Sequence, residues 1–167
     1  SPLVAKTVKK NFPDIEVRAS VNMRLGTVKS MKYVSEMFDS YCVQREYNRN
    51  LKRLAELEHW AGNNSKKLHI LVNSGCLNFC SFQTFHDNAV SHEPFINKRE
   101  NVPGLTTLCR EFYSSPKNRV NIIQGSSWIR PEDIQKHSQC FNGTYKLATR
   151  MHDNPRMVIH AYSEGRH

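Results

Sequence analysis

One feature constrains the fold of this chain more than any other: short segments with strand character alternate with helical ones. They follow one another at roughly 25–30 residue spacing, the cadence of strand–helix units around a parallel sheet. The segments "IEVRASVN", "SYCVQ", "KLHILVN", "RVNIIQG" and "TYKLATR" read as strands. In the first, Ile15, Val17, Ala19 and Val21 alternate with polar residues. "KLHILVN" is nearly apolar throughout, as parallel strands buried on both faces tend to be. The helical patterns lie between. "SPLVAKTVKKNF" has Pro2 at its first helical position behind Ser1. "TVKSMKYVSEMF" lines up Val28, Met31, Val34 and Phe38, and "NLKRLAELEHWAG" lines up Leu51, Leu54, Leu57 and Ala61 ahead of Gly62. "GLTTLCREFYSS", "RPEDIQKHS" and "NPRMVIHAYSE" complete the helical set, with Pro131, Glu132 and Asp133 suiting a first turn.

The class is therefore α/β with parallel strands. No phosphate-cradling glycine loop (G-x-G-x-x-G or G-x-x-x-x-G-K-[ST]) follows any strand, which argues against a nucleotide-binding doubly wound sheet. About five βα units cannot close an eight-stranded barrel. Cadence alone does not separate a doubly wound sheet from a barrel; as a barrel, residues 1–167 would be a single domain forming part of a longer one. A start at "SPLVAK", without Met, agrees with a processed chain or a fragment.

Composition limits the partners. The chain carries 24 Lys+Arg against 15 Asp+Glu, a net charge of +9, a surplus that favours polyanion partners such as RNA, or simply solubility. The basic residues are scattered rather than clustered in one run, which also suits a solvated exterior. No stretch of 18 apolar residues and no secretory pattern is visible, so no membrane partner is expected. Five cysteines, an odd number without a secretory signal, point to a reducing, cytoplasmic compartment and to metal-binding or buried thiols.

In parallel α/β folds chemistry gathers where strands end. Those exits hold Asn22 and Arg24, then Gln44, Arg45, Glu46, Asn48 and Arg49, then Asn73, then Gln124, Ser126 and Ser127, and finally Arg150 and His152. The stretch "NSGCLNFCSFQTFH" adds Cys76 and Cys80, three residues apart. A radical S-adenosylmethionine enzyme would need a third cysteine where Gln83 stands. An iron–sulfur cluster needs about four ligands, so Cys109 and Cys140 become candidates from outside the loop. Zinc is the alternative, with His86 and His92 completing a Cys₂His₂ set. Cys42, inside a strand, reads as a small buried apolar residue. No G-x-S-x-G nucleophile elbow is present.

The segments "ILVNSGCLNFCSFQTFH", "SSWIRPEDIQKH" and "YKLATR" resemble the collagenase-like peptidase family, TIM-barrel proteins that include presumed peptidases and proteins of RNA and quinone hydroxylation. "RASVNMRLGTVKSMKYV" and "VQREYNRNLKRLAEL" are similar to its successive βα units. The resemblance implies a partial TIM-like barrel, residues 1–167 being a fragment of a longer one, whose rim carries a cysteine-ligated 4Fe-4S cluster, with Cys76 and Cys80 in the matching loop, Cys109 as third ligand and Cys140 as a further candidate. The family's peptidase signature is absent, which counts against proteolysis. The function expected on this basis is oxidative, hydroxylation-type tailoring of RNA or a small molecule. Arg45, Arg49 and Arg150 would bind an anionic substrate bidentately, on a rim that also includes Glu46, Asn48, Asn73 and Arg130. A zinc- or nucleophile-dependent hydrolase and a non-catalytic RNA-binding module are the alternatives.

Overall fold

The computed structural model describes residues 1–92, 109, 111–149 and 152–166, with only the backbone described at 89–92. By contact density the chain divides into two compact units, one formed by 1–74 with 127–167 and the other by 75–126.

The first unit is built on a four-stranded, all-parallel sheet in the order β1 (Arg18–Ala19), β2 (Ser40–Cys42), β3 (Lys67–Leu71), β4 (Thr144–Lys146). Helices α1 (Pro2–Asn11), α2 (Val28–Lys32) and α3 (Leu51–Asn63) belong to the same unit. Its remaining helices are α6 (Ile134–Ser138) and α7 (Pro155–Glu164). The strands are short because each ends in polar turn chemistry within a few residues. After β1, for instance, the Ser20 hydroxyl accepts from the Asn22 N–H and opens a 3₁₀ turn at Val21–Met23. Helix α2 starts at a capping box between Thr27 and Ser30. It is shorter than its apolar stripe predicts. Residues beyond Lys32 close as i→i+3 turns, and Lys66 Nζ donates to the Ser35 and Phe38 carbonyls at 2.7 and 2.8 Å.

One face of the sheet carries the core. Ala19, Tyr41, Val43, Leu68, Ile70 and Val72 are buried together with Leu54, Leu57 and Trp60 of α3. Tyr41 meets Trp60 edge-on with ring centroids 5.8 Å apart. The helical stripe of α3 falls where its spacing predicts: Leu54, Leu57 and Ala61 are buried, and Leu51 at its start is exposed.

The other face differs from the expectation for a two-sided apolar sheet. Alternate residues Arg18, Ser40, Cys42, Lys67, His69, Leu71, Thr144 and Lys146 share it, since their neighbours along the strands, Ala19, Tyr41, Leu68, Ile70 and Tyr145, point to the core. "KLHIL" is thus an alternating strand whose off-core positions include a lysine and a histidine.

The second unit contains α4 (Gln83–His92) and a short helix, α5 (Asn121–Gln124), preceded by a 3₁₀ turn at Pro116–Asn118. This corrects the expectation of a strand at "RVNIIQG" and reduces the strands from five to four among the described residues. The backbone there satisfies itself locally: Gln124 N–H donates to Val120 O and Gly125 N–H to Asn121 O, both at 2.9 Å. With no register partner, a short apolar run closes as a turn of helix instead of an extended strand. The predicted helix at "GLTTLCREFYSS" lies partly outside the described residues, and positions 111–114 within it are helical.

Candidate functional site

At the C-terminal edge of the first unit's sheet, the chain leaves β2 through Val43 and Gln44 into a 3₁₀ turn at Arg45–Tyr47. Arg45 and Glu46 are each 8% exposed. Asn48 is wholly buried and acts as a brace. Its amide nitrogen donates to Leu71 O at 2.6 Å and to Ser127 O at 3.1 Å, and its own carbonyl lies 3.0 Å from His137 Nε2. The other ring nitrogen of His137 lies 2.9 Å from Asp133 O. Ser127 Oγ in turn donates to Ser74 O at 2.9 Å. The exits of β2 and β3 and the segment at Ser127 are therefore laced to one another.

The remaining rim residues have separate roles. Asn73 pairs with the backbone of Ala148 in both directions, its amide donating to Ala148 O and its oxygen accepting from Ala148 N–H. Arg130 grips Asp133 with two bonds of 2.7 and 3.0 Å. This contact raises the Arg130 pKa and holds the Asp133 carboxyl below its ordinary range. Arg49 is exposed, and Arg150 lies outside the described residues.

The cysteine loop belongs to the second unit. Leu77 bridges antiparallel to Ser126, and Asn78 N–H donates to Gly125 O at 2.8 Å, so α5 is the support for the loop. Phe79 takes the left-handed conformation, φ 56°, which turns the chain between the two cysteines. Gln83, where a radical enzyme would have its third cysteine, begins α4 with 6% exposure and a buried Oε1 that finds no partner.

A cavity of about 310 Å³ opens beside the loop, lined by Cys80, His86 and Cys109 together with Phe79, Phe82 and Phe112. Burial pushes the Cys109 thiol up, and the neighbouring Cys80 and Cys76 sulfurs push it further the same way. Tyr113 is raised by burial and by the same three cysteines. Cys76 and Cys80 thus both lie within electrostatic reach of Cys109, although 33 positions separate Cys76 from it (109 − 76). No disulfide joins any of the five cysteines.

The donor types suit a thiolate-held iron–sulfur cluster or zinc. Among the described residues, however, no three His, Cys, Asp or Glu side chains are gathered closely enough to hold a metal ion. Cys140 belongs to the first unit, where its Sγ contacts His137 O at 3.5 Å and burial raises its thiol. Of the histidines raised for zinc, His86 lines the cavity and the His92 side chain lies outside the described residues.

Sequence reasoning missed the Asn48–His137 brace, which links residues 89 positions apart. It also missed the polar second face of the sheet, for which the alternation Lys67–Leu68–His69–Ile70 was the available signal. No helix among the described residues is long and apolar enough to cross a membrane. Comparison with protein-family models, with curated proteins and with solved structures gives no match.

Proposed function

We propose that the chain is an iron–sulfur protein on a partial TIM-like barrel of the collagenase-like peptidase type, acting in oxidative tailoring of RNA or a small anionic molecule. The observation that carries this reading is the cavity of the second unit, whose wall brings together Cys80 and Cys109 from separate parts of the sequence. Cys76, Cys80 and Cys109 would hold the cluster, which when bound supplies electron transfer or substrate activation. Phe79, Phe82 and Phe112 line the same cavity as Cys80 and Cys109. In the first unit, the exposed Arg49 supplies a cationic group suited to a phosphate or carboxylate.

His86 in the same cavity favours a second reading, a zinc-dependent hydrolase. Anaerobic purification followed by a visible spectrum and by iron, sulfide and zinc assays separates the two. Brown protein with iron and acid-labile sulfide in near-equal amounts is expected. Colourless, iron-free protein sinks the cluster reading, and stoichiometric zinc transfers support to the hydrolase.

A further inference from the structure

The second face of the sheet has a chemistry that the cysteine site leaves unused. The register sets it out in rows across the strands: Arg18, Ser40 and Lys67 in one, Cys42, His69 and Thr144 in the next, then Leu71 beside Lys146. All-parallel sheets ordinarily have both faces covered by apolar structure, whereas this one presents three cations to a single acid. That acid, Glu16, is already engaged: it takes Lys67 Nζ at 2.7 Å, the Ser40 hydroxyl at 2.9 Å and Arg18 at 3.3 Å. Lys146 makes no ion pair among the described residues.

At the centre of the face lies His69, 4% exposed, with neither ring nitrogen hydrogen-bonded. A buried polar group without a partner is rare in folded proteins and marks a place where an ion, a water or a ligand completes the structure. Burial lowers the His69 pKa first, and the Arg18, Lys67 and Lys146 charges lower it further against the opposing pull of Glu16. Cys42, its register neighbour, feels Lys146, Arg18 and Arg45. Cations on the outer strands β1 and β4 therefore act on the same central pair.

We propose that this face is a binding site for a phosphorylated ligand carrying more than one negative charge, held between Arg18 and Lys146 with the His69 imidazole N–H as the unspent donor. Arg18 and Lys146 lie three strands and four residues apart, about 19 Å between backbone positions, a gap that their two long side chains narrow to the length of a diphosphate rather than a lone carboxylate. Guanidinium and ammonium groups are the usual partners of phosphoryl oxygens. The site lies entirely in the first unit and does not depend on the cluster reading.

The test is calorimetric titration of the full chain with pyrophosphate at low ionic strength, with histidine-ring NMR following His69. Saturable one-to-one binding is expected, together with a rise in the His69 pKa on saturation as negative charge offsets the cations. Lys146→Ala and Arg18→Ala should each weaken binding at least fivefold. Lys29→Ala, on an exposed position of α2, should change it less than twofold. A matched titration with citrate separates phosphoryl from carboxylate recognition and should be at least tenfold weaker. Absent binding, equal weakening by Lys29→Ala, an unmoved His69 resonance, or citrate binding as tightly as pyrophosphate overturns the proposal. Unchanged urea midpoints confirm that the variants remain folded.

Discussion

Asn48 and Glu16 show how single polar residues hold the first unit. Asn48 has no solvent exposure, and its amide donates to carbonyls from β3 and from the segment after the second unit. Replacing it with Ala strands both acceptors in the interior, which costs about 1–3 kcal/mol. Asn48→Ala is therefore expected to lower the urea midpoint while leaving the denaturant slope unchanged. Glu16 works at the surface instead, where Lys67 is the main influence on its carboxyl and Ser40 and Arg18 add to it, depressing its pKa to about 2. A depressed acid stabilises fully above its ordinary 4.5, and that contribution is lost as pH falls from there through about 2. Urea midpoints measured across that range should fall more steeply for the parent chain than for Glu16→Gln, and the two curves should converge at the acid end. Neither role was legible in sequence: Asn48 had the look of a rim ligand, and Glu16 was one residue within a predicted strand. Both depend on partners more than 20 positions away.

Elements set by local periodicity were the legible ones. The α3 stripe needs only 3.6-residue spacing, and its Leu54, Leu57 and Ala61 reach the core as the pattern predicts. The run at 119–125 fails the same approach, because alternation that short is satisfied equally by a strand or by a turn of helix. Its outcome depends on whether a neighbouring strand offers register, and none does among the described residues. The entry to β4 shows how closely elements approach once register is set. A Cβ at Gly143 would collide with the Leu68 carbonyl and with the Phe141 ring. Because the carbonyl belongs to β3 it cannot yield, and Gly143→Ala is expected to cost about 1–3 kcal/mol. A thermal melt checks this, with an unchanged midpoint as the contrary result.

At the scale of the whole molecule, the decisive fact is which parts of the chain share a unit. Cys109 shares the second unit with Cys76 and Cys80, while Cys140 belongs to the first. If the cluster reading is right, Cys109→Ala should lower bound iron severalfold under anaerobic purification, and Cys140→Ala should leave it near the parent level. Equal losses from both variants would count against the three-cysteine ligand set. The basic balance of +9 also gains a location: part of the excess lies on the second face of the sheet, where Arg18, Lys67 and Lys146 outnumber Glu16.

The sequence by itself determined the α/β class, the main helix α3 and the central strand β3. Each of these follows from near-neighbour spacing or from residue chemistry that any fold must accommodate. Only the tertiary structure decided that the sheet has four described strands, that its second face is cationic, and that Cys109 lines one cavity with Cys80. Those outcomes arise from contacts between residues tens of positions apart, fixed by strand register and packing, which local spacing does not encode.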